Sequence, residues 1–163
     1  MQLNVATGAQ VRPELYAFLG EIALEVIGSG TASNFFFMHK PPGLRLRFQA
    51  REPGSREALY AELAARLGAR SGLFDTPVRG IYEPESYLFG GPHAMPWVHD
   101  LFTADSLAWL HHHAERPAPL ADWRLSLTLL RDLLDGLGIV GWEHRGVWET
   151  LQHEAGRALG EGR

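Results

Sequence analysis

From Gly43 the chain reads Gly-Leu-Arg-Leu-Arg-Phe, a strict alternation of apolar and cationic side chains. Successive side chains of a strand point to opposite faces. The segment is therefore expected to bury Leu44, Leu46 and Phe48 on one side and to hold Arg45 and Arg47 together on the other. Two aligned guanidiniums form a site for a carboxylate or phosphate. A pair at this spacing also occurs as the solvated face of an antiparallel sheet, and spacing alone leaves both readings open.

The rest of the chain supplies partners for that strand. Residues 13–27 carry apolar positions Tyr16, Leu19, Ile22, Ala23 and Val26 at helical spacing, with Pro13 suited to the first turn and Gly28 and Gly30 to the exit. Residues 33–38 are short and aromatic, as in a buried strand, and Pro41-Pro42-Gly43 turns them into the arginine strand over residues 44–51, giving an antiparallel pair. A helix is expected over residues 55–67 with Ser55 as cap, and a third strand over 73–82, where Pro77 marks an edge or bulge. Three helices follow, over residues 97–113, 121–137 and 147–159. Strands early and helices late define an α+β fold, with a small antiparallel sheet in the N-terminal half packed against helices and a helical C-terminal half. The five tryptophans, all in that helical half, are expected mostly in the core, one or two of them lining a peptide groove.

With 163 residues, 45% of them hydrophobic, the chain is expected to form one domain over residues 1–163. No apolar run approaches a bilayer span and no basic-then-apolar leader opens the sequence, so a cytoplasmic protein is expected. The absence of cysteine excludes disulfides, thiolate metal sites and cysteine nucleophiles. A net charge of -4 argues against a broad nucleic-acid footprint. His111, His112 and His113 follow one another on a helix, point in three directions and are not expected to converge on a metal. Gly90-Gly91 lacks the lysine or helix spacing of a phosphate-cradling loop, so neither metal nor cofactor is expected.

Four segments carry chemistry: the aromatic run Phe35-Phe36-Phe37 leading into the arginine strand; Tyr82-Glu83-Pro84-Glu85-Ser86-Tyr87-Leu88-Phe89-Gly90-Gly91; His99-Asp100-Leu101-Phe102-Thr103-Ala104-Asp105-Ser106; and Gly141-Trp142-Glu143-His144-Arg145-Gly146-Val147-Trp148. Their order and spacing resemble the thiopeptide-type bacteriocin biosynthesis domain, a relative of the C-terminal glutamate-elimination domain of lantibiotic dehydratases. Four motifs in the family's order across most of the chain make a specific match.

The resemblance implies a role in maturing ribosomally synthesised peptides of the lanthipeptide and thiopeptide type. The leading expectation is β-elimination of glutamate from a glutamylated Ser or Thr, leaving a dehydroamino acid. Such a reaction needs a base for a weakly acidic C–H, donors for an enolate-like oxygen, and cations for the departing carboxylate. By resemblance Arg45 and Arg47 bind the glutamyl group, His99 is the acid or base, Tyr82 donates to the oxyanion, and Glu85 pairs with a strand arginine. His99 also fits a half-buried helix histidine, Glu85 a surface acid, and Asp105 and Ser106 are read as structural. Leu88 departs from the family, which places an arginine there, and a neighbour such as Arg79 is the candidate to replace it. The chain also lacks the late histidine of the lantibiotic elimination domains. Two alternatives therefore stand beside elimination: a non-catalytic precursor-peptide-binding partner of a split dehydratase, and a formal [4+2] pyridine-forming cyclase. Expected partners are a precursor peptide, a glutamyl-transferring dehydratase subunit and a second copy of the chain.

Overall fold

The computed structural model describes residues 1–6, 12–115 and 117–154. It is α+β, with four antiparallel strands in the N-terminal half and five α-helices. Two compact units divide the chain, Met1–Pro119 and Leu120–Arg163.

The first unit holds the sheet. Its strands are β1 (Gln2–Ala6), β2 (Ala32–Lys40), β3 (Gly43–Ala50) and β4 (Val78–Gly80), in the spatial order β2-β3-β1-β4. The expected β2–β3 hairpin forms, with Phe36 opposite Arg47 and Met38 opposite Arg45. On its inner face Leu44, Leu46, Phe48, Phe35, Leu3 and Val5 are buried among Leu15, Leu19 and Ile22 of α1 (Pro13–Gly28) and Leu59, Leu63 and Leu67 of α2 (Arg56–Gly68). Each such side chain withdraws roughly 1.5–3 kcal/mol worth of apolar surface from water, which fixes the face that β3 turns inward.

Three expectations need correction. β1 was not anticipated, although Gln2-Leu3-Asn4-Val5 alternates polar and apolar residues as a strand should; five residues are too few for periodicity to stand out. The third strand is limited to Val78–Gly80, because Leu73 and Phe74 close a turn onto the Arg70 carbonyl at 2.8 and 3.1 Å. Ser55 is not a side-chain cap: its hydroxyl donates to the Glu52 carbonyl at 2.8 Å.

A third helix, α3 (Met95–Ala114), lies along the outer edge of β2. The backbone N–H of Phe35 donates to Thr103 Oγ1 at 3.2 Å and that of Phe37 to Ser106 Oγ at 3.2 Å. Side-chain hydroxyls on a helix thus take the place of a neighbouring strand. Ser106 is buried, in agreement with its structural reading.

The second unit contains α4 (Asp122–Gly136) and α5 (Trp142–Glu154). Between them Gly138 and Gly141 take positive φ values of 73° and 61°, which a β-carbon would oppose. The last helix begins five residues before the expected residue 147, and residues 155–159 of that expectation lie outside the described ones. Tryptophan burial is also corrected: Trp97, Trp123, Trp142 and Trp148 are all exposed. Among the described residues no helix is long and apolar enough to cross a membrane.

Ser106→Ala should lower stability by about 1–3 kcal/mol in urea unfolding, because it leaves the Phe37 N–H without its acceptor. A change within a few tenths of a kcal/mol would mean that the edge of β2 does not depend on this bond.

Candidate functional site

Sheet register assembles the site. Arg47 lies opposite Phe36 on one neighbour and Gln2 on the other, and Gln2 lies opposite Gly80, so Phe36, Arg47, Gln2 and Gly80 form one row across the outer face. The next row is Met38, Arg45, Asn4 and Val78. Beyond β4 the chain carries Tyr82 back over the first row. A short turn at Ser86–Phe89 then exits through Gly90 and Gly91, with φ values of 81° and 86°, into α3 and His99. Only glycine adopts two such conformations in succession without strain, so this pair sets how the Tyr82 loop meets the helix.

Three of the expected residues meet there. Tyr82 Oη lies 3.0 Å from His99 Nε2, and the Arg47 guanidinium sits 4.5 Å from the centre of the Tyr82 ring and 5.3 Å from that of Phe36. The Phe36 ring also stacks on the His99 ring, with centroids 5.6 Å apart. Arg47, Tyr82 and His99 line a cavity of about 610 Å³ that also includes Asn34, Arg51, Arg56 and Asp100. It is large enough for an amino-acid side chain and a stretch of peptide.

Burial controls the protonation of all three groups. The pKa of His99 is pushed below the ordinary 6.5, chiefly by burial, with the Asp100 carboxylate pulling the other way. Asp100 is itself held by Asn34 Nδ2 at 2.7 Å. Tyr82 is raised above its ordinary 10.0, first by burial and also by Glu85, while Arg47 opposes. Arg47 is drawn down by burial and again by the like charge of Arg45, against the pull of Tyr82 and Glu85, yet a guanidinium remains charged at any physiological pH. Near neutral pH the site therefore holds a neutral imidazole, a protonated phenol and a fixed cation. A base, a donor and an anion clamp within one cavity can remove a proton from carbon while stabilising a departing carboxylate.

The other expected residues stand apart. Arg45 lines a separate cavity of about 480 Å³ with Lys40, Asn4 and Asp75. Glu85 is exposed; its charge acts on Arg47 and Tyr82, but among the described residues no ion pair joins it to a strand arginine. Leu88 is 60% exposed, and Arg79 does not replace the missing guanidinium. Arg79 is committed to Glu57 through bonds of 2.8 and 2.6 Å and lies over the Tyr60 ring. His112 is buried and His113 half-buried against Trp109, while His111 faces Glu115 at 3.1 Å. Gln2, overlooked in the sequence, donates structure to the site by accepting a bond from Arg47 Nε at 3.0 Å. The alternation that marks β1 was the signal that could have found it.

An antiparallel sheet flanked by helices, with a cation, a phenol and an imidazole above its outer face, is the class of domain this chain forms. A family model for the lantibiotic biosynthesis dehydratase C-terminal region matches residues 2–160, and the chain belongs to that family. Among solved structures it is similar to the tRNA-dependent lantibiotic dehydratase MibB from Microbispora sp. 107891, with a TM-score of 0.57 and 22% identity over 70% of this chain. That likeness is one of fold, and the match covers 12% of the MibB chain. No curated protein matches the sequence.

Tyr82→Phe should raise the pKa of His99 toward 6.5 in an NMR titration, because it removes a donor that favours the neutral ring. A fall instead would show that Nε2 carries the proton and donates to the phenol. Because burial depresses the His99 pKa, stability should be fully present above pH 6.5 and decline as pH falls through the lower folded-state value.

Proposed function

We propose that this chain acts in the maturation of ribosomally synthesised peptides, by eliminating glutamate from glutamylated Ser or Thr, with residues 1–163 serving as one functional domain. Family membership supports the setting. The observation that carries the reaction is the meeting of Arg47, Tyr82 and His99 in one cavity. His99 Nε2 takes the α-proton, the released electron pair forms the Cα–Cβ double bond, and the Cβ–O bond breaks to expel glutamate as its carboxylate. Arg47 holds that carboxylate. Before substrate enters, burial keeps both groups neutral and the Tyr82–His99 bond holds them together; in the reaction Tyr82 donates to the enolate-like oxygen and frees Nε2. Glu85 contributes charge that keeps Tyr82 protonated. Arg45, in the separate cavity, contacts the peptide from the next row of strand residues.

One observation favours a second reading. With Leu88 exposed and Arg79 engaged by Glu57, the glutamyl group lacks the cation that the family places on this turn. A precursor-peptide-binding partner of a separate, glutamyl-transferring dehydratase subunit would not need it.

Mass spectrometry of a glutamylated precursor peptide decides between them. Wild type should release glutamate, Arg47→Ala and His99→Ala should each be slower by about 100-fold or more, and the rate should rise with pH through the depressed His99 pKa and level off above 6.5. An unchanged peptide that nevertheless binds would overturn elimination in favour of the binding partner. Activity confined to an already dehydrated peptide would indicate the cycloaddition alternative.

A further inference from the structure

Gln2 is a buried polar residue, 4% exposed, whose side chain bonds to two neighbours. Its Oε1 accepts from Arg47 Nε at 3.0 Å and its Nε2 donates to Asn4 Oδ1 at 2.9 Å. The second bond sets the orientation of the amide, because it turns the oxygen toward Arg47. The rings of Tyr82 and Phe36 lie against the guanidinium, 4.5 and 5.3 Å from its centre, and meet each other nearly edge-on with centroids 5.5 Å apart. Held at Nε and packed against two rings, Arg47 has restricted freedom to rotate.

A guanidinium can bind a carboxylate through Nε and one terminal nitrogen, or end-on through its two terminal nitrogens. With Nε engaged by Gln2, the end-on mode remains. We infer that Gln2 is a positioning residue that fixes Arg47 so that a carboxylate-bearing ligand is gripped end-on by the two terminal nitrogens.

Gly80 provides independent support. It lies opposite Gln2 in the sheet, and a β-carbon there would stand 2.6 Å from Gln2 Nε2 and 2.8 Å from Asn4 Nδ2. Its φ is not positive, so the strand conformation does not demand glycine. What the position requires is room for the two amides that hold Arg47. Both clashing atoms are ends of flexible side chains, so Gly80→Ala should keep the sheet and displace the Gln2 amide.

The inference rests on the glutamyl reading of the cavity for its ligand but not for its central contact. The test uses the full chain with ¹⁵N-labelled arginine, the Arg47 Nε–H signal being assigned by its loss in Arg47→Lys. In wild type that proton should exchange slowly with solvent. In both Gln2→Leu and Gly80→Ala its exchange should rise, and affinity for free glutamate should fall about tenfold. Glutamate added to wild type should shift the Arg47 terminal nitrogen signals and leave Nε–H in place.

Unchanged Nε–H exchange in both variants overturns the positioning role, as does faster exchange with wild-type glutamate affinity. A glutamate-induced shift centred on Nε–H overturns end-on binding. If wild type binds no glutamate, the glutamyl reading fails, and Nε–H exchange in the two variants alone supports or overturns the hold of Gln2 on Arg47.

Discussion

Sliding β3 by one residue against its neighbours would exchange Arg45 and Arg47 with Leu44, Leu46 and Phe48. Guanidiniums would enter the space between the sheet and Leu19, Ile22 and Leu63, and the outer face would lose its cations. The cost of burying an unpaired charge forbids that register. Core packing thus decides, without any contribution from a ligand, that Arg47 faces outward beside Gln2 and Phe36. Every contact of the cavity follows from this alignment, including the placement of the Tyr82 ring over the guanidinium.

The three groups that meet in the cavity come from elements distant in sequence. Arg47 comes from a central strand, Tyr82 from the segment after an edge strand, and His99 from the first turns of a helix. The glycine pair at Gly90 and Gly91 joins the last two, and α3 is fastened to β2 through Thr103, Ser106 and the Asn34–Asp100 bond. The imidazole is therefore referenced to the same strand whose Phe36 packs on it. The turn that carries Leu88 stands apart from these fastenings and is exposed.

Legibility differed by element for physical reasons. The β2–β3 hairpin and α1 were readable because long periodic segments declare which face is buried. β1 was not, since five residues offer barely two periods and pairing partners far along the chain decide its fate. The span of β4 was overestimated because Leu73 and Phe74 look like strand residues but serve as the apolar end of the α2 turn. At the site, side-chain type and the resemblance pointed to Arg47, Tyr82 and His99 among others, and the structure brings these three together. The resemblance could not separate Arg45 from Arg47: both lie on one face, but the loop that covers the first row leaves the second open to another cavity. Gln2 escaped notice because a neutral amide carries no chemistry of its own until its neighbours are known.

The hydroxyl contacts between α3 and β2 have a consequence for how the sheet meets other chains. An edge strand normally presents unpaired N–H groups that invite a further strand, whether from a swapped copy or a growing aggregate. On β2 the donors of Phe35 and Phe37 are already satisfied by a helix, which cannot extend the ladder and also obstructs approach. Growth of the sheet is thereby closed off on its longest edge, and the opposite edge offers only the three residues of β4. The sheet is thus a poor template for an added strand, and its outer face meets other molecules through side chains.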